Sequence, residues 1–116
     1  MSIVLRDEKT ANGSRSVCAR IAPEGDLIVE GHDLGKGVDS LLDYREYEWT
    51  ITIASAHTAA LLNALNGGRS WLALLLRRRR LLHAMRGRFS GDRASGLEPF
   101  LKEHGIPYTL WNRIGD

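Results

Sequence analysis

Gly31-His-Asp-Leu-Gly35-Lys36-Gly37 places glycines around a lysine, the composition of a loop whose backbone amides cradle phosphate. A nucleotide loop of that kind needs four residues between the glycines, then Lys-Ser/Thr at the mouth of a helix. Here three residues intervene, Gly37 stands in place of the hydroxyl, and apolar strand-like runs flank the segment. It reads as a glycine-hinged loop rather than a phosphate site. Metal chemistry has as little footing. His32, His57, His83 and His104 are scattered, with no His-x3-His pair, and the single thiol, Cys18, cannot complete a zinc set or an internal disulfide. Cys18 sits in a strand-like stretch without the basic surroundings that lower a thiol pKa, and no Gly-x-Ser-x-Gly elbow occurs. No metal, cofactor or catalytic residue is therefore assigned, and the expectation is a protein that is not an enzyme.

Two charged constellations remain. Asp33, Asp39, Asp43, Glu46 and Glu48 crowd one region. As paired acid and base they would have to share a pocket; as a surface they form an acidic patch suited to a basic protein partner. The second is Arg77-Arg78-Arg79-Arg80, followed by Arg86, which could contact a phosphate backbone. Four consecutive arginines on a helix point in four directions, and no row of Asn, Gln or Ser accompanies them for reading base edges. Binding to another protein through the acidic patch is thus the leading expectation. Nucleic-acid binding through Arg77, Arg79, Arg80 and Arg86 is the alternative.

The elements that must position these groups change character along the chain. Residues 1–66 hold 6 Lys/Arg against 10 Asp/Glu, and residues 67–116 hold 10 against 4. The net +2 hides that asymmetry. The first half reads as strands. Ile3 to Leu5 is a short apolar run, and DEKTANGS reads as a turn or exposed loop. Val17, Ala19 and Ile21 alternate with polar neighbours, PEGD makes a tight turn, and LIVEG returns as the second arm of a hairpin. In REYEWTITIA, Tyr47, Trp49, Ile51 and Ile53 share one side while Glu46, Glu48, Thr50 and Thr52 share the other, the pattern of an antiparallel strand with one wet face.

The second half reads as helices. Ser55 offers an N-cap to SAHTAALLNAL, and Gly67-Gly68 a stop. From Ser70 onward, Trp71, Leu74, Leu75, Leu81, Leu82 and Met85 fall on one face, with Arg78 awkwardly among them. Residues 87–96 read as a linker, Ser95-x-x-Glu98 as a capping box, and Gly105 with Pro107 as a stop. The aromatic tail, YTLWNRIGD, is expected to pack back on the domain. The layout predicts one α+β domain over residues 1–116: a three- to four-stranded antiparallel sheet in the N-terminal half, with about three helices of the C-terminal half packed on one face.

With 43% hydrophobic and 26% charged residues, the chain can bury a core without staples. The start, MSIVLRDEK, has no leader-like apolar run, and no stretch is long enough to span a bilayer, so a cytoplasmic location without a membrane partner is expected. An edge strand at Ile3 to Leu5 is open to pairing within the chain or with a second copy, so a homodimer is also admitted.

Gly31, Asp33, Leu34 and Gly35, with Tyr47, Glu48 and Trp49 and the ending GIPYTLWNRIGD, resemble a group of small bacterial proteins that share a Gly-x-Asp-Leu-Gly loop and a Tyr-Glu-Trp strand. The resemblance covers about a third of the chain. Small α+β proteins of this look include immunity proteins, which neutralise toxins by binding them. The resemblance implies such a binding role and carries no functional residue with it.

Overall fold

The computed structural model describes residues 2–11, 13–36, 44–65 and 77–115. The fold is α+β. Five antiparallel strands follow one another in space as in sequence: β1 (Ser2–Thr10), β2 (Gly13–Ile21), β3 (Leu27–Lys36), β4 (Tyr44–Ile53) and β5 (Thr109–Gly115). Between β4 and β5 come α1 (Ser55–Leu65), α2 (Arg77–Phe89), a 3-10 turn (Gly91–Gly96) and α3 (Leu97–Glu103).

The strand periodicity builds the core. Ala19 lies opposite Val29 and Val29 opposite Ile51; Ile21, Leu27 and Ile53 form the next row. All six are buried, and they meet Leu61 and Leu62 of α1, Leu81, Leu82, Met85 and Phe89 of α2, and Leu97, Phe100 and Leu101 of α3. The helices thus cover the face that the alternation of β2 and β4 marks as apolar. Helix starts and stops use tertiary as well as local groups. The β2–β3 turn supplies Asp26, whose carboxylate accepts the Ser55 backbone N–H at 2.8 Å and so caps α1 from outside the helix. Gly105, at φ +64°, ends α3 as its sequence position implies, with Ile106 N–H returning to the Leu101 carbonyl.

Five expectations change. The sheet has a fifth strand, because the aromatic tail does not simply pack back but pairs with β4 over Thr109 to Gly115. Asp7 to Thr10 extend β1 instead of forming a loop, since each has a partner on β2 down to the Thr10–Gly13 pair. The Gly31–Gly35 loop is not a loop: these residues pair continuously with both β2 and β4. The supposed linker contributes buried Phe89 and Ala94 to the core. The Ser95–Glu98 capping box does not form, because Ser95 Oγ donates to the Asp92 carbonyl while Glu98 accepts the Tyr108 hydroxyl at 2.6 Å. Trp71 to Leu76, Ser70 and the Gly67-Gly68 stop lie outside the described residues.

Candidate functional site on the open face of the sheet

Cross-strand register assembles the site. Ser16, His32, Glu48 and Arg113 form one row across β2, β3, β4 and β5, and Glu46 lies one row away, opposite Leu34. These side chains alternate with the core residues and so project from the face opposite the helices. His32 Nε2 donates to Glu46 Oε1 at 2.8 Å and lies 3.8 Å from Glu48 Oε1. Arg113 approaches Glu48 at 3.6 Å and Glu46 at 4.0 Å. The four side chains are between 30% and 58% exposed, so they meet solvent while holding one another in place.

A shallow cleft of about 410 Å³ adjoins this cluster, lined among others by Cys18, Glu30, Gly31, Thr50 and Trp111. Trp111 is 53% exposed and shares a row with Thr50, Glu30 and Cys18. Gly31 is required at the base of this region: a Cβ there would fall 2.0 Å from the Trp49 indole, which crosses over it.

The imidazole and two carboxylates lie within 4.8 Å of one another, the donor set of a divalent cation site. In this arrangement Arg113 already supplies the positive charge, and His32 is committed to Glu46. What the cluster can do as it stands is present acceptors, a donor and a guanidinium together to a polar partner.

Compared with protein-family models, curated proteins and solved structures, the chain matches none.

The acidic constellation read from the sequence is divided by the fold. Glu46 and Glu48 come together on the open face. Asp33, one residue from His32 on a continuous strand, projects to the helix side and lines a separate cleft with Arg6, Arg15 and Tyr47. Asp39 and Asp43 lie outside the described residues. His32 and Arg113 are the members that sequence reasoning missed. The signal for His32 was available: read as strand rather than loop, its position has the parity of Leu34 and Glu30, opposite to that of Val29.

The arginine run behaves as helix periodicity requires. Arg79, Arg80 and Arg86 are exposed on α2, and none of them forms an ion pair among the described residues. Arg78 reaches along the surface to donate to the Pro23 carbonyl at 3.0 Å, which resolves its conflict with the apolar face without a carboxylate. Of Arg77 only the backbone is described, as the first residue of α2.

The hydrogen bond from His32, foremost, together with the Arg113 guanidinium, holds the Glu46 carboxyl below its ordinary range. A carboxyl whose folded pKa is depressed contributes stability above its unfolded pKa, and that contribution is lost as pH falls through the folded value. The expected result is a Glu46 carboxyl carbon that titrates below an ordinary glutamate by NMR and moves back up in His32→Ala. An unchanged midpoint in the variant would show that the hydrogen bond does not act as described.

Proposed function

We propose that this chain is a non-enzymatic domain that binds another protein across the open face of its sheet. The observation that carries the reading is the exposed Trp111 beside the His32–Glu46–Glu48–Arg113 cluster, on a face away from the helices. Tryptophan and arginine concentrate binding energy at interfaces, and a rigid sheet presents them without an ordering cost. The charges of the face are mixed: Asp7, Glu30, Glu46 and Glu48 stand against Lys9, Arg20 and Arg113. The slight negative excess suits a partner with basic groups, and neutralisation of a toxin is one case of such binding. A cytoplasmic setting accords with this reading.

A second reading has its own observation. Arg79, Arg80 and Arg86 share the exposed side of α2 with His83 and have no described ion-pair partner, so their charge is available to a nucleic-acid backbone. One experiment separates the two. A photo-cross-linking residue is placed at Thr50 on the open face and, separately, at Arg80 on α2, in cells producing the protein. A discrete adduct from position 50 to a protein other than a second copy of this chain, lost on Trp111→Ala, is the expected result. A nuclease-sensitive adduct from position 80, with none from position 50, would overturn the lead and favour nucleic acid.

A further inference from the structure

The sheet has two edges, and they are built differently. The β1 edge is protected: its ladder is broken by a bulge between Val4 and Arg6, and it carries Arg6, Asp7, Glu8 and Lys9 in succession. Bulges and charge runs are the devices that keep an edge from pairing with another chain. The β5 edge has neither. Its pairing with β4 is regular from Thr109 to Thr52 through Gly115 to Glu46, and Arg113 is the one charged residue of the strand. Four large apolar side chains are exposed among the described residues, and three belong to β5: Leu110 at 44%, Trp111 at 53% and Ile114 at 77%.

We propose that β5 pairs antiparallel with β5 of a second copy of this chain, about a two-fold axis at Asn112, to give a continuous ten-stranded sheet. The sequence of the strand complements itself in this register. Leu110 of one copy stands opposite Ile114 of the other on the helix side, so both exposed aliphatic side chains are covered twice over. On the open side Trp111 stands opposite Arg113 of the mate, whose side chain is more than half exposed even as it pairs with Glu46 and Glu48, so the indole packs beside that guanidinium. Thr109 meets Gly115 in this register. The outward backbone groups of β5, which no other strand pairs among the described residues, find partners in the mate, as in strand addition generally. A two-fold axis normal to the sheet keeps like faces together, so the two open faces join into one. The inference concerns the edge and a second copy alone, and it stands whether or not the face binds another protein.

The experiment is the solution mass of the purified protein over a wide concentration range, with folding of every variant verified by circular dichroism. The expected mass rises to twice the 12.9 kDa of the chain. Leu110→Glu alone and Ile114→Lys alone return it to the single-chain value, and the double variant, in which each glutamate faces a lysine of the mate, restores the dimer. In a Cys18→Ser background, Asn112→Cys becomes disulfide-linked to its own mate on mild oxidation, because residues opposite each other in an antiparallel pair have Cα atoms within disulfide range. Thr109→Cys, facing glycine, does not. A single-chain mass at all concentrations would overturn the proposal. A dimer indifferent to both single variants, or one in which position 109 cross-links and 112 does not, would overturn it too. The cysteine pair decides the register even if a charged variant fails to fold.

Discussion

Gly31→Val is expected to destabilise the protein by about 1–3 kcal/mol, the usual cost of forcing extra atoms into a packed site. Intrinsic preference argues the other way. Gly31 lies mid-strand with partners on both sides, where glycine is a poor strand former and valine a good one. Sterics decide the sign. The added Cβ alone would sit 2.0 to 2.3 Å from three atoms of the Trp49 indole, so the ring has to leave the groove that glycine provides. Trp49 packs against the buried core from the same face, and displacing it disturbs the floor of the open-face cleft from behind. Urea unfolding gives the stability change, and near-ultraviolet circular dichroism gives the tryptophan environment. Equal or greater stability in the variant would mean that the indole does not need the space.

Phe89→Ala is expected to have the larger effect, about 3–5 kcal/mol. Phe89 ends α2 with 2% of its surface exposed, and it packs edge-to-face on Phe100 of α3 at 5.5 Å between ring centroids and 77° between planes. Arg88, next to it, places its guanidinium over the Phe100 ring at 5.2 Å. The truncation therefore opens a cavity in the buried core between α2 and α3. Against a typical total of about 5–15 kcal/mol, such a loss leaves the fold marginal. The same helix supplies the contrast. Arg79→Ala and Arg80→Ala, on its exposed side, are expected to change stability by no more than about 0.5 kcal/mol each. Thermal unfolding of the three variants side by side tests both halves of the statement. A mild Phe89→Ala would place the structural weight of α2 elsewhere.

The sequence by itself determined much of the scaffold. The alternation of Val17, Ala19 and Ile21, the Pro-Glu-Gly-Asp turn, and the Tyr47-Trp49-Ile51-Ile53 stripe specify strands and their faces, because period two is a local property. The Leu81-Leu82-Met85 face and the Gly105 stop are local in the same sense, and the structure buries the one and left-twists the other. The charged β1 arm was illegible, because polar residues become a strand when a partner strand is present to pair with them. The C-terminal strand needed β4 for the same reason: Leu110-Trp111-Asn112-Arg113-Ile114 has apolar residues at both parities and shows no clean alternation.

The candidate site is where tertiary structure decided most. Glu46 and Glu48 share a face by strand period alone, and that much was readable. His32 joined them, and Asp33 was turned away, only because Gly31 to Gly35 is held as strand between two neighbours. A glycine-rich segment has no strong preference of its own, so pairing on both edges sets its conformation. Arg113 reached the cluster across 65 positions of sequence from Glu48, through the register of β4 with β5. No local pattern encodes that distance. It follows from which strands the buried core brings side by side.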